Sequence, residues 1–172
     1  GISYGALGMT HHSCQDVAAL CALPGMRVYL PSDAYQTSAL IRALLRDRAP
    51  AYVRITRGAS AAIYGEGAPF QLNKASVLAD NGEVLVVACG EMVAQALKAT
   101  QLLREKGISC AVIDMYCLKP FDDETLLALA KTARCVVTME EHSQFGGLGS
   151  ITAQILSGSC PRPMLQISLP VK

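Results

Sequence analysis

The sequence has no excess of charge of either sign: fifteen Lys and Arg stand against fourteen Asp and Glu in 172 residues, a formal net charge of +1. Binding to a nucleic-acid backbone or an anionic membrane surface rests on a basic excess, so both function classes are set aside. One or two placed arginines could still hold a small anion. There is no apolar run long enough to span a bilayer and no recognisable signal peptide. The seven cysteines, Cys14, Cys21, Cys89, Cys110, Cys117, Cys135 and Cys160, form no Cys-x-x-Cys pair. Their odd number and mostly apolar neighbours fit neither a zinc site nor a disulfide framework, so free thiols in a reducing compartment are expected. An initial Met is also lacking, and the chain stops just after an expected strand, which suggests a piece of a longer polypeptide.

What is present is a globular composition, 51% hydrophobic and 17% charged, able to bury a sizeable core. Three glycines in the first eight positions read as a loop, and Ser13 is placed to cap a helix over 14–23 that Pro24-Gly25 closes. A strand over 27–30, a turn at Pro31-Ser32-Asp33, a helix over 34–46 with Leu40, Ile41, Leu44 and Leu45 at helical spacing, and a strand over 51–57 predict a right-handed parallel crossover. Residues 62–74 read as a linker. Beyond it the sequence predicts an edge strand over 75–79, a buried strand over 83–89 and a helix over 92–106 closed by Gly107. A strand over 108–115, a helix capped by Asp122, a strand over 135–139, a helix to 156 and a strand over 164–167 follow. Apolar strands alternating with helices make a doubly wound α/β domain, whose coverage on both faces explains why the strands hardly alternate.

Two stretches end at positions suited to a ligand. Thr10-His11-His12 leads from a glycine-bracketed loop into a helix, and Arg54-Ile55-Thr56-Arg57-Gly58 ends a β-branched strand on a basic residue and a glycine. Three positions apart on an extended strand, Arg54 and Arg57 point to opposite sides, so Arg57 is the candidate ligand contact and Arg54 is structural. His12 is expected behind the site or at the surface. The turn Gly146-Gly147-Leu148-Gly149-Ser150 has the spacing of neither a dinucleotide fingerprint nor a phosphate loop, so it is expected to let a helix pack closely. Glu140, Glu141 and His142, neighbours at a strand end, alternate in direction and cannot converge on one centre; a domain interface or dimer contact is expected there.

In order and spacing, a larger set of motifs carries a resemblance. Gly8-Met9-Thr10-His11-His12, Asp16-Val17-Ala18, Leu23-Pro24-Gly25-Met26, Pro31-Ser32-Asp33 and the strand ending in Arg57 resemble the late part of the pyrimidine-binding domain of transketolases. Leu118-Lys119-Pro120-Phe121-Asp122, and Glu140-Glu141-His142 with the 146–150 turn, resemble the carboxyl-terminal domain of the same superfamily. The resemblance covers nearly the whole chain. It implies two α/β domains: residues 1–61 as the remnant of a parallel-sheet, thiamine-diphosphate-binding domain and, after the 62–74 linker, 75–172 as a doubly wound Rossmann-like C-terminal domain, truncated at its end.

The implied activity is transfer of a two-carbon ketol unit between sugar phosphates by a cytoplasmic enzyme that uses thiamine diphosphate and magnesium at sites between subunits. His11 aligns with the family histidine near the thiazolium and substrate, hence a catalytic imidazole; Arg57 aligns with the arginine that grips the substrate phosphate. The family's cofactor-holding motifs would lie upstream of Gly1. The chain alone is therefore expected neither to bind the cofactor tightly nor to turn over substrate, and to work as a homodimer or with a separate N-terminal cofactor-binding subunit. Leu7 stands where many transketolases have an aspartate contacting a substrate hydroxyl, so the acceptor is expected to be less hydroxylated or held differently. Two alternatives stay open: a synthase of the deoxyxylulose phosphate type, which Leu7 opposes, and a noncatalytic α/β module for dimerisation or regulation.

Overall fold

The run Val84–Ala88 contains no polar side chain and forms the strand on which the second half of the chain is built. The structure, a computed structural model, describes residues 1–170; positions 171 and 172 of the expected second domain lie outside the described residues. In chain order the elements are a 3-10 stretch (Gly5–His11), α1 (Asp16–Cys21), β1 (Arg27–Tyr29), α2 (Ala34–Asp47), β2 (Ala51–Val53), β3 (Ser76–Ala79) and β4 (Val84–Ala88). They continue with α3 (Met92–Glu105), β5 (Cys110–Asp114), β6 (Cys117–Lys119), α4 (Asp123–Ala130), β7 (Cys135–Ser143), α5 (Leu148–Ser159) and β8 (Met164–Leu169).

Five strands form a sheet in the order β3-β5-β4-β7-β8, with β3 as an antiparallel edge on four parallel strands. Successive residues of β4 serve opposite faces. Val86 and Ala88 join Val93 and Ala96 of α3, whereas Leu85 and Val87 join Leu126 of α4 and Leu148 and Leu156 of α5. Helices therefore cover both faces, and the winding reverses at β4, the switch point of a doubly wound sheet. The larger core cluster runs on into the first half through Val17, Val28, Tyr29, Leu30 and Leu40.

In that first half β1 and β2 are parallel and joined by α2, the crossover that the spacing predicts. Asp33 caps α2 by accepting from the Gln36 N–H at 2.8 Å, and its other oxygen accepts from the N–H groups of Ile63 and Tyr64 at 2.9 and 2.8 Å. Asp122 caps α4 through Thr125 and accepts from the Ala75 N–H at 2.9 Å. The two helix caps thus pin both ends of the 62–75 segment.

Several expectations need correction. Strand β2 stops at Val53: the Arg54 N–H still donates to the Tyr29 carbonyl at 2.9 Å, but the next ladder donor toward β2 would come from residue 31, and Pro31 has no N–H. Arg57 accordingly sits on a loop. The first eight residues are not all loop: 3-10 turns run to His11, interrupted where Gly8 takes φ 58°. The following helix starts at Asp16 without a Ser13 cap, since the Ser13 N–H donates to the Gly1 carbonyl and the Cys14 carbonyl accepts from Ser143 at 2.9 Å. Strand β6, antiparallel to β1, is an addition to the expected elements, and β7 runs four residues past Met139.

Candidate functional site

His11 and Arg57 come together on one tyrosine. His11 closes the 3-10 stretch and is exposed, as is Arg57. The Tyr4 ring meets the imidazole edge to face, centroids 5.5 Å apart, while the Arg57 guanidinium carbon lies 3.8 Å from the Tyr4 centroid. The Arg57 N–H also donates to the Ser3 hydroxyl at 3.4 Å. His12 lies behind, its Nε2 3.2 Å from the Tyr4 carbonyl. The Thr10 hydroxyl donates to the Leu7 carbonyl at 3.0 Å and lies 2.9 Å from His11 Nδ1. A hydroxyl has one proton to give, so it accepts from Nδ1–H, and this network leaves His11 Nε2 with a lone pair for a ligand. Tyr4 had no signal in the sequence; it is an aromatic in a glycine-rich loop, and its partners are fixed only by how residues 3–11 and 54–58 fold together.

Arg54 faces inward. It donates to the Asp16 carboxylate at 3.1 Å and to the Glu141 carbonyl at 2.8 Å, tying α1 to β7. Burial works against ionisation of Asp16, but the Tyr52 hydroxyl at 2.7 Å and the Arg54 charge outweigh it and hold the pKa below the usual carboxylate range. The same burial and the Asp16 hydrogen bond push Tyr52 up to about 12.

Glu140, Glu141 and His142 stay separate, each satisfied by a different segment. Glu140 accepts from the N–H groups of Leu148 and Gly149 at 2.7 and 2.8 Å, so the carboxylate of this chain already fills the N-terminus of α5. Burial still raises its pKa, with those two N–H groups pulling it back. Glu141 accepts from the Ile2 N–H at 2.7 Å. His142 Nε2 accepts from the Ala18 N–H at 3.4 Å and its Nδ1 lies 2.8 Å from the Ser143 carbonyl, which places the proton on Nδ1. The glycine turn serves close packing: a Cβ on Gly147 would sit 2.1 Å from a Glu140 oxygen.

Two further titratable groups had no sequence signal. Glu91, just past the end of β4, is raised to about 7 by a hydrogen bond with Glu141 and by burial. Asp114 is fully buried at the end of β5, where burial raises it to about 6; the hydroxyls of Ser32 and Tyr64 at 2.8 Å and the Gln36 amide at 2.9 Å all meet its Oδ2. All seven cysteines are free, four of them buried.

Among the described residues no three His, Cys, Asp or Glu side chains converge as metal ligands, and the polar neighbour of His11 is a threonine. Among the same residues no helix is long and apolar enough to cross a membrane.

Residues 1–61 match the family described as transketolase, pyrimidine binding domain, and residues 73–171 the one described as transketolase, C-terminal domain. The chain is 43% identical over 171 residues to a subunit of an apulose-4-phosphate transketolase from Phocaeicola vulgatus, covering 99% of this chain and 54% of that protein. It is 39% identical over 169 residues to a subunit of a 6-deoxy-6-sulfo-D-fructose transketolase from a Clostridium species, covering 98% and 52%. A solved structure described as a split gene transketolase, inactive beta4 tetramer, matches with a TM-score of 0.90 at 37% identity, covering 94% of this chain and 54% of that one. The chain therefore spans about half the length of the curated relatives it matches. Family models that account for nearly all of its residues make this chain a member of the transketolase family.

Proposed function

We propose that this chain is the carboxyl-terminal part of a transketolase that moves a two-carbon ketol unit between sugars bearing an anionic end, with His11 exchanging protons at the reacting carbon and its hydroxyls and Arg57 holding the anion. The observation that carries this reading is the Tyr4 cluster, which sets an imidazole with a free Nε2 beside a guanidinium that rests on a ring rather than on a carboxylate, on one exposed face. The names of the relatives point to substrates ending in a phosphate or a sulfonate. Both are tetrahedral oxyanions that a guanidinium fork fits. Leu7, 45% exposed within the same 3-10 stretch as His11, has a side chain that offers no hydrogen bond to a sugar hydroxyl and favours an acceptor that does not need one there.

Thiamine diphosphate, held with magnesium by residues outside this chain, would supply the nucleophilic carbon and the electron sink. His11 and Arg57 are exposed, and so are Leu7, Met9 and Ile55 beside them, whereas carbanion chemistry needs water excluded. The remaining walls would come from a separate N-terminal cofactor-binding subunit or from another copy of a longer chain, in the cytoplasm.

The test is ketol transfer by the complete gene product with any adjacent-gene partner, thiamine diphosphate and magnesium. His11→Ala is expected to lower kcat by about 10²–10⁴-fold. Arg57→Ala should raise KM by about 10–100-fold, the worth of a hydrogen bond to a charged group. A reconstituted protein that neither binds the cofactor nor transfers would leave a noncatalytic α/β module as the reading.

A further inference from the structure

Tyr4 is the side chain that His11 and Arg57 share, and nothing in its sequence context calls for an aromatic. Its ring face carries the Arg57 guanidinium, its ring meets the imidazole, and its carbonyl is tied back by His12 at 3.2 Å. Both functional side chains are exposed, and Arg57 has its backbone N–H on Ser3. A free arginine side chain loses much rotamer freedom on gripping an anion, so holding the guanidinium in place beforehand lowers the cost of binding. The stack also holds the guanidinium on the same ring that the His11 imidazole packs against.

We propose that Tyr4 is a positioning residue of the ketol-transfer site, stacking on Arg57 to preorient the anion grip and packing on His11 to fix the imidazole. This inference rests on the function proposed above. Only the aromatic ring is used, so phenylalanine should replace tyrosine and an aliphatic residue of similar bulk should not.

The experiment takes the complete enzyme with its cofactor-binding partner and measures kcat and KM for the wild type, Tyr4→Phe, Tyr4→Leu, Arg57→Ala and the Tyr4→Leu/Arg57→Ala double variant. Tyr4→Leu is expected to raise KM for a phosphorylated substrate about two- to fivefold, the worth of an exposed cation–π contact, and to lower kcat as the imidazole loses its packing. Tyr4→Phe should recover both parameters to within about twofold. Once Arg57 is alanine, Tyr4→Leu should add nothing further to KM, because the contact it removes is already gone. KM effects that multiply in the double variant, or a Tyr4→Phe enzyme no better than Tyr4→Leu, would overturn the positioning role while leaving the transferase reading intact. A wild-type enzyme without transfer activity overturns both.

Discussion

Asp114 makes the stability of this protein depend on pH in a way that one substitution should remove. It is fully buried, and three donors crowd one of its oxygens while the other has no partner among the described residues. Burial dominates and raises its pKa from 3.8 to about 6, with the Asp33 carboxylate adding to the rise. A carboxyl group whose pKa is higher in the folded state favours folding in its protonated form. Its contribution is fully present below the unfolded value near 3.8 and is lost as pH rises through about 6. A shift of about two units corresponds to about 3 kcal/mol, half of it lost by roughly pH 5. Asp114→Asn has no proton to lose, and its amide oxygen can accept from the same three donors.

The measurement is urea unfolding of wild type and Asp114→Asn from pH 3.5 to 7.5. The difference between the two isolates Asp114, because the depressed Asp16 and Asp122, whose effects have the opposite sign, are present in both proteins and cancel. Relative to wild type, the variant is expected to gain about 2.5–3 kcal/mol across this range, most steeply between about pH 4.5 and 5.5. A difference that stays flat to within about 0.5 kcal/mol would refute the argument that burial outweighs the three hydrogen bonds.

Two other perturbations read the packing. Arg54→Met leaves the Asp16 carboxylate, 9% exposed, without its cation, and should cost about 3 kcal/mol and roughly 6–12 °C in Tm by calorimetry; a loss under about 1 kcal/mol would class the pair with solvent-exposed ones. Gly147→Ala drives a Cβ against the anchored Glu140 carboxylate and should destabilise by about 2–3 kcal/mol, whereas Gly158→Ala meets open space near the end of α5 and should stabilise by up to about 1 kcal/mol, so equal effects in urea titrations would contradict the close approach.

The elements legible in the sequence are those whose cause is local. Helix α2 shows its apolar spacing and its Asp33 cap within about fourteen residues, and β4 shows an unbroken apolar run. Strand β6 has three residues, and its cause lies in β1, about ninety positions earlier, whose free edge it covers. No local pattern can announce such a partner. The end of β7 misled for a related reason. Glu140, Glu141 and His142 read as residues just past the strand, at a domain interface or dimer contact, yet they continue β7 and are buried, because three distant groups satisfy them: the first N–H groups of α5, the N–H of Ile2 and the N–H of Ala18.

The candidate site divides along the same line. His11 and Arg57 are legible as candidates because each sits in a recognisable motif, but the extended strand that would set Arg57 opposite Arg54 ends at Val53. What separates the two arginines is where their charge is needed. Without Arg54 the Asp16 carboxylate, 9% exposed, would lose its cation and keep only the Tyr52 hydroxyl, and the Glu141 carbonyl would lose its guanidinium donor, so that side chain is committed to the fold. Arg57 rests on the face of a tyrosine, an attraction weak enough in water to yield to an oxyanion and directional enough to keep the guanidinium in place until one arrives. A cation held by a ring rather than by a carboxylate stays available, and that availability, rather than its position in a strand, is what supports the proposed role of Arg57 as the anion grip.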